Sequence, residues 1–216
     1  MNRAMSATER AYTDTREKIL DGLHAGGEVI TEGQVSAALG ISRTPVREAF
    51  LRLQSEGLLE LYPKRGAVVV PLSDEEVASV MEARELIETF AATKVLTEFA
   101  EPPRELVERM WELVGEQQRH LHAGSITGFH EADTQFHLIM VEACQNAFLA
   151  DLLRSLRDRQ RRLSSRVPRS ATHERMEVAY REHVALVETI AGGDLDDSLA
   201  AFRSHLRKAR QALLQH

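Results

Sequence analysis

The sequence is poor in cysteine and lacks long apolar runs, and each of these shortages excludes a class of protein. Cys144 is the only cysteine among 216 residues, so no disulfide can form within the chain. Such scarcity is typical of a reducing compartment. No run of about 18 apolar residues occurs, which argues against a membrane-spanning helix. Residues 1–15 are polar and do not resemble a signal peptide, so we expect a cytoplasmic protein without membrane attachment.

Residues 36–59 have the pattern of a helix, a tight turn and a second helix. Gly40 is suited to end the first helix because glycine readily adopts positive φ. Ser42 is suited to cap the second helix, and Pro45 falls in its first turn, where a missing N–H costs nothing. An apolar stripe at helical spacing follows and must face a core: Val46, Ala49, Phe50 and Leu53.

The opposite face of the second helix carries Arg43, Thr44 and Arg47 near its N-terminus. This arrangement is typical of a helix-turn-helix recognition helix, which enters the major groove of DNA. The alternative is an ordinary amphipathic helix with a solvated basic face. Two short strands, residues 58–62 and 67–70, enclose a basic turn that contains Lys64 and Arg65. Because this hairpin adds a wing to the motif, it favours DNA binding.

Three segments carry a further signal: Ile41-Ser42-Arg43-Thr44-Pro45-Val46-Arg47-Glu48-Ala49, Glu56-Gly57-Leu58 and Lys64-Arg65-Gly66. They resemble the DNA-binding domain of GntR-family bacterial transcription regulators, and the resemblance extends over about residues 12–71. It implies that Arg43 and Arg47 contact base edges or phosphates and that Lys64 or Arg65 places the wing at the minor groove. One departure is Gly33, which stands where the family commonly has a DNA-contacting arginine. We therefore expect one contact to be missing and the operator to differ from the usual half-sites.

The net charge of −6 argues at first against a DNA partner, but it is unevenly distributed. Residues 1–71 contain nine Lys/Arg and nine Asp/Glu, whereas residues 72–216 contain the other 18 basic and 24 acidic residues. Pro71-Leu72-Ser73 marks the expected boundary between these domains. A neutral DNA-binding domain binds modestly on its own, so we expect the protein to act as a homodimer.

Beyond residue 73 the sequence predicts only helices. Glycine, proline and asparagine separate six segments with helical periodicity: 73–100, 104–123, 125–143, 147–166, 171–191 and 194–215. Six antiparallel helices with short connections form a bundle, and bundles hold ligands between inward-facing helix surfaces. The predicted fold is therefore mainly α: an N-terminal winged helix-turn-helix domain (1–71) and a C-terminal all-α antiparallel helical bundle (72–216).

Three segments of this bundle carry possible metal ligands on apolar faces: Asp133 and His137, His183, and His205. A single buried histidine is more often a hydrogen-bonded core residue than a ligand. An ionised Asp133 in apolar surroundings, however, is costly without a cationic partner or a metal. Together the four residues predict a divalent metal site, and their ligand atoms suit Zn²⁺ or Ni²⁺ without choosing between them.

The same segments contain longer motifs: Glu131-Ala132-Asp133-Thr134-Gln135-Phe136-His137, Glu182-His183 followed by Ile190-Ala191-Gly192-Gly193-Asp194, and His205-Leu206. They resemble the effector domain of the FCD branch of the FadR subfamily, over about residues 73–214. The resemblance implies that Asp133, His137, His183 and His205 bind a metal with open positions for a carboxylate. It also implies that Arg84 holds this carboxylate, although a structural ion pair is the alternative for Arg84. Seven arginines between Arg154 and Arg169 are expected on a solvated helix face, although one of them can enter the ligand pocket.

The predicted function is a ligand-responsive transcription regulator, most often a repressor in this family. Its expected partners are double-stranded operator DNA, a small carboxylate effector and a second copy of the chain. In one alternative the metal itself is the signal. In another the protein is a metal-dependent hydrolase, because three histidines and a carboxylate can activate water. The hydrolase leaves the winged motif unexplained, and acyl-CoA binding fits poorly with four metal-type ligands in the core.

Overall fold

The computed structural model describes residues 5–63, 65–71, 73–98, 101–164 and 169–214. The chain divides into two units, Met1–Ser73 and Asp74–His216. The elements of the first unit are α1 (Ala7–Leu20), β1 (Val29–Ile30), α2 (Glu32–Leu39), α3 (Arg43–Ser55), β2 (Leu59–Tyr62) and β3 (Gly66–Val69). The second unit contains α4 (Asp74–Glu98), α5 (Arg104–His122), α6 (Ile126–Ala143), α7 (Ala147–Ser164), α8 (Arg169–Gly192) and α9 (Leu195–Leu214). Among the described residues, every helix is too short or too polar to cross a membrane.

The predicted helix, turn and helix of the first unit are α2 and α3. Gly40 ends α2 with a φ of 63°, and its N–H donates to the carbonyl oxygen of Ser36. The hydroxyl of Ser36 donates to the carbonyl oxygen of Ile41 at 2.6 Å, which fixes the turn from its other side. Ser42 occupies the N-cap position of α3, as predicted, although its side chain makes no capping hydrogen bond.

The wing is a three-stranded antiparallel sheet with the strand order β1-β3-β2. The hairpin of β2 and β3 was expected, whereas β1 is only two residues long and leaves no periodic pattern in the sequence. Gly66 has a φ of 101°, and a Cβ atom there would lie 2.6 Å from the carbonyl oxygen of Ile30. Glycine is therefore required where β3 approaches β1. Lys64 lies outside the described residues.

A hydrophobic core joins the elements of the first unit. Helix α1 packs against α3, and the apolar stripe of α3 is buried as predicted. Ile19 and Leu20 from α1, Phe50 from α3 and Val69 from β3 belong to one buried cluster. Because this cluster fixes α3 on one side only, the opposite face of α3 remains available to solvent.

The second unit is the predicted bundle of antiparallel helices. Helix α4 packs against α6, α7 and α9, and α5 packs against α6 and α8. The antiparallel direction of α4 and α7 follows from two contacts, Glu76 with Arg159 and Lys94 with the carbonyl of Cys144. Helix α9 begins after Asp194, whose side chain accepts from the N–H of Asp197 at 2.9 Å, as expected for an N-cap.

Candidate functional site

Three buried histidines meet in the middle of the bundle, each supplied by a different helix. His137 lies on α6, His183 on α8 and His205 on α9. Their ring centroids are 4.7–5.2 Å apart, and each ring offers a nitrogen within 4.8 Å of those of the other two. The amphipathic pattern of each helix explains the convergence, because it turns the three side chains toward the same interior.

The Nδ1 atom of each histidine is held by an oxygen behind the ring. Nδ1 of His137 lies 2.6 Å from Oε2 of Glu88. The oxygens behind the other two rings are Oε1 of Gln117 for His183 and Oε2 of Glu182 for His205, both at 2.8 Å. Because these oxygens accept hydrogen bonds, each Nδ1 carries the proton and each Nε2 keeps its lone pair. Metal-binding histidines in proteins are oriented by such outer hydrogen bonds.

The three Nε2 atoms face the space between the rings. Those of His183 and His205 are 3.4 Å apart. Nε2 of His137 is buried and has no hydrogen-bond partner among the residues that the structure describes. A buried polar atom without a partner is costly, so this atom is suited to bind a ligand.

Burial keeps the imidazoles of His137 and His183 neutral. It lowers the pKa of His137 to about 4, with Arg84 adding to the effect, although Glu88 opposes it. Burial also lowers the pKa of His183 well below its ordinary value. Neutral imidazole is the form that binds metal ions. Burial raises the pKa of Glu88, but the charge of Arg84 and the hydrogen bonds from His137 and Arg84 outweigh it and hold that pKa well below its ordinary value.

Asp133 lies beside the histidines and completes the predicted set of four. Its Oδ1 is 3.5 Å from Nε2 of His183 and 3.9 Å from Nε2 of His137, while its Oδ2 contacts Nη2 of Arg157. The structure therefore brings the three predicted histidine ligands together and places Asp133 next to two of them, His183 and His137. Three imidazole nitrogens and one carboxylate oxygen suit a divalent transition metal or Zn²⁺, and the unpartnered Nε2 of His137 agrees with such an ion.

Arg84 is fully buried behind this centre. Its Nε donates to Oε1 of Glu88 at 2.8 Å, and its Nη1 contacts Oε1 of Gln160. The same amide oxygen accepts from Nη1 of Arg157 at 3.1 Å. Hydrogen bonds thus connect His137 through α4 and α7 to Asp133. The structural ion pair considered for Arg84 is present, and its carboxylate contact stays a prediction.

A cavity of about 400 Å³ adjoins the centre between α6, α7, α8 and α9. Asp133 and His205 lie on its wall, together with Arg157 and Gln160. Arg84 does not line the cavity. A small molecule in this cavity would therefore reach the metal ligands and Arg157 without crossing the packed core.

The first unit offers a candidate nucleic-acid interface on α3. Arg43, Thr44 and Arg47 are exposed, as is Arg65 in the wing. Within the described part of the chain, Arg43 and Arg47 form no hydrogen bond or ion pair. Arg52, at the other end of α3, is instead paired with glutamates of its own unit. The free guanidinium groups are those predicted to contact DNA.

Comparisons with known proteins agree with both units. The family model described as "FCD domain" matches residues 79–208, and the model described as "Bacterial regulatory proteins, gntR family" matches residues 7–69. The chain belongs to the GntR family. The protein is therefore a DNA-binding transcription regulator and not an enzyme, and the hydrolase alternative is wrong. FCD domains are known to bind metal, and this architecture is consistent with the FadR subfamily.

Individual relatives support the same assignment. The regulator is 25% identical to the HTH-type transcriptional repressor RspR of Escherichia coli K12, over 100% of this chain and 92% of the relative. It is 27% identical to the gluconate operon transcriptional repressor of Bacillus subtilis, over 73% of this chain and 63% of the relative. A GntR regulator from Rhodococcus sp. RHA1 has the same fold, with a TM-score of 0.81 at 21% identity over 98% of this chain and 99% of that one.

Several residues around the candidate metal centre escape prediction from the sequence. The expectation that the arginines between Arg154 and Arg169 form a solvated face is wrong for Arg157 and Arg162, which are 4% and 3% exposed. The signal for Arg157 is its position four residues after Leu153, on the buried stripe of α7. Glu88 likewise lies on the buried stripe of α4.

The missing arginine at position 33 also has a structural setting. Gly33 lies at the start of α2, next to the guanidinium group of Arg43. A Cβ atom at Gly33 would lie 3.6 Å from Nη2 of Arg43, an ordinary contact distance. Any longer side chain at position 33 would lie beside the guanidinium group of Arg43.

Proposed function

We propose that this regulator represses transcription as a homodimer and that a small carboxylate effector, bound with a divalent metal in the FCD domain, changes its affinity for operator DNA. The observation that carries the proposal is the set of three inward-facing Nε2 atoms beside a cavity of about 400 Å³. A regulator that sensed only the metal would need no such cavity.

His137, His183, His205 and Asp133 hold the ion in this proposal, and Zn²⁺ or Ni²⁺ suits them best. When bound, the ion supplies positive charge and open positions that a carboxylate oxygen can occupy. The oxygens of Glu88, Gln117 and Glu182 orient the three rings for this role.

The charges around the centre favour an anionic effector. The charged side chains nearby balance formally, three acidic and three basic: Asp133, Glu88, Glu182, Arg84, Arg157 and Lys208. A divalent ion adds two positive charges to this balanced set. Uncompensated charge in a buried site is costly, so the effector that accompanies the ion is expected to be anionic.

Arg43, Thr44 and Arg47 contact base edges or phosphates in this proposal. Arg65 and Lys64 place the wing in the neighbouring minor groove. Operators of helix-turn-helix proteins consist of two half-sites about one helical turn apart, which requires two recognition helices and hence a dimer. Because the DNA of bacteria lies in the cytoplasm, the regulator acts there.

The effector acts by shifting a population between two arrangements of the dimer. Only one arrangement places both recognition helices at the half-site spacing. The effector must bind the two arrangements with different affinity, because a ligand that binds both equally shifts nothing. Loss of DNA binding on addition of effector is the expected direction for a repressor that is relieved by its ligand.

Metal content tests the proposal. Wild type and His183→Ala, purified without chelators or metal-affinity resins and then incubated with Zn²⁺ or Ni²⁺, are compared by mass spectrometry. We expect about one metal ion per subunit in wild type and much less in the variant, because a metal site loses affinity when one of its ligands is removed. His173→Ala is the matched control, since His173 is an exposed histidine on the same helix. Equal, near-zero metal in all three proteins would mean that the buried histidines are structural.

DNA-binding titrations separate the two signals. The metal-loaded regulator is titrated with DNA selected from a random pool, with and without a chelator and with and without small carboxylates. If carboxylates change the affinity while the metal remains bound, the organic effector is the signal. If only the chelator changes it, the metal itself is the signal.

A further inference from the structure

Arg157 is the arginine that the cavity presents beside the metal centre. It lies on the cavity wall with Asp133 and His205, yet it is only 4% exposed. Buried arginines are rare because desolvation of the guanidinium group is costly unless anions or oxygen acceptors surround it. The guanidinium group of Arg157 therefore needs anionic or oxygen-bearing partners near it.

The hydrogen bonds of Arg157 use only part of its capacity. Nη2 contacts Oδ2 of Asp133, and Nη1 donates to Oε1 of Gln160 at 3.1 Å. A guanidinium group carries five N–H donors. Nε of Arg157 is buried and lacks a hydrogen-bond partner among the described residues. The acceptors that the described residues supply thus leave Arg157 incompletely satisfied.

Asp133 cannot fully neutralise the charge of Arg157 once it also binds a metal ion. Its Oδ1 faces Nε2 of His183 and His137, so this oxygen belongs to the metal centre. Coordination of a cation draws negative charge away from the carboxylate and weakens its pairing with Arg157. The guanidinium group then has positive charge left for a second anion on the cavity side.

We propose that Arg157 binds a second carboxylate of the effector, which makes the effector a compact dicarboxylate and not a monocarboxylate. This inference rests on the proposed binding of metal and carboxylate in the same cavity. One carboxylate completes the coordination of the ion. The other pairs with Arg157, whose planar group can bind a carboxylate through two parallel hydrogen bonds.

The charge of the whole cavity supports a dianion. Its wall carries four basic and three acidic side chains: Arg157, Arg161, Arg175, Lys208, Asp133, Glu174 and Glu182. Together with a divalent ion, the formal excess is three positive charges. A monocarboxylate would offset one of these charges, and a dicarboxylate offsets two. The volume of about 400 Å³ accommodates a diacid of three to five carbons.

Matched ligand pairs test the need for the second charge. Malonate, succinate and glutarate are each compared with their monoamides, malonamate, succinamate and glutaramate, which keep the shape and remove one charge. Binding to the Zn²⁺- or Ni²⁺-loaded regulator is measured by calorimetry, and metal content is measured in the same samples. We expect at least one diacid to bind about tenfold or more tightly than its monoamide, as a charge-assisted bidentate pair requires.

Two variants assign this preference to Arg157. In Arg157→Gln the ratio between diacid and monoamide should fall toward one, and in Arg157→Lys, which keeps the charge without the planar group, it should be intermediate. Arg154→Gln should retain the wild-type ratio, because Arg154 is exposed on the same helix and contacts Glu142 and Asp151. Should Arg157→Gln lose its metal, Arg157→Lys carries the comparison alone.

The outcomes separate this inference from the proposed function. Absence of metal in wild type would contradict the proposed function itself. If metal is bound but each diacid binds no better than its monoamide, or if no diacid binds, the inference fails and the metal site stands. Retention of the full preference in both Arg157 variants would also overturn it.

Discussion

At the scale of single residues, the candidate metal centre depends on the oxygen atom behind each imidazole. Glu88, Gln117 and Glu182 come from three different helices, and each lies within 2.8 Å of the Nδ1 atom of one histidine. Two of these oxygens belong to carboxylates and one to a neutral amide. Their shared effect is to fix the tautomer in which Nε2 faces the centre.

Gln117→Met isolates this effect, because it removes the oxygen behind His183 and changes neither charge nor length much. We expect metal affinity to fall about 10- to 100-fold, the usual cost of losing an outer hydrogen-bond partner. Competition with a fluorescent chelator measures the change. Gln118→Met is the matched control, since Gln118 is exposed on the same helix. Unchanged affinity in Gln117→Met would show that packing alone orients the ring.

At the scale of elements, α3 divides its arginines between two tasks. Arg52 serves the fold, since it pairs with Glu9 and Glu56 and lies 3.5 Å above the ring of Tyr12. Arg43 and Arg47, nearer the N-terminus, are exposed and make no such contacts among the described residues. The buried apolar stripe of α3 anchors the helix to the core. Arg43 and Arg47 are therefore not needed for packing and remain exposed on the opposite face.

Arg47→Ala should therefore weaken DNA binding without affecting the FCD domain. A base contact costs about 1–3 kcal/mol when lost, and a phosphate contact mainly lowers the salt dependence of binding, by about one unit in slope. Titrations with the selected DNA at several salt concentrations distinguish these cases, and metal content should stay at the wild-type level. Arg52→Ala serves as comparison and should alter stability more than the salt dependence. If Arg47→Ala binds DNA as wild type does, Arg47 is not part of the recognition surface.

Elements were more predictable from the sequence than the contacts between them. Glycine and proline mark the helix ends, and apolar periodicity identifies the buried faces, so the helices of the bundle and the hairpin of the wing follow from local patterns. Strand β1, with two residues, has no pattern to read.

The four candidate metal ligands could be predicted because a histidine or a carboxylate is unusual on an apolar helix face. The oxygen atoms that accept from the Nδ1 atoms could not be predicted from the sequence. Glu88 is 49 residues from His137, and Gln117 is 66 residues from His183, so their pairing depends on how helices pack. The burial of Arg157 was not predicted, because the arginine-rich segment around it resembles a solvated helix face.

At the scale of the whole molecule, α4 and α7 connect two features of the second unit. Their inner faces carry Arg84, Glu88, Gln160 and Arg157, the hydrogen-bonded chain behind the candidate metal centre. These helices pack against each other, and their exposed faces carry the apolar residues Leu86, Phe90, Phe148 and Leu152, which are 67%, 52%, 86% and 48% exposed. Large exposed apolar residues on adjacent helices mark an interaction surface. Because the proposed operator requires two recognition helices, we expect the second copy of the proposed homodimer to bind at this surface.

Replacement of Leu86 and Phe148 by glutamate should therefore dissociate the dimer, because two buried charges would face their own copies across a two-fold interface. Light scattering after size-exclusion chromatography is expected to give a mass near 49 kDa, twice the 24.3 kDa of one chain, for wild type and the single-chain mass for the double variant. Trp111→Glu, at an exposed apolar position of α5, should leave the dimer intact. Metal content should persist in the monomer, since all four proposed ligands come from one chain, whereas affinity for a two-half-site DNA should collapse. A double variant that remains dimeric would place the dimer interface on another face of the bundle.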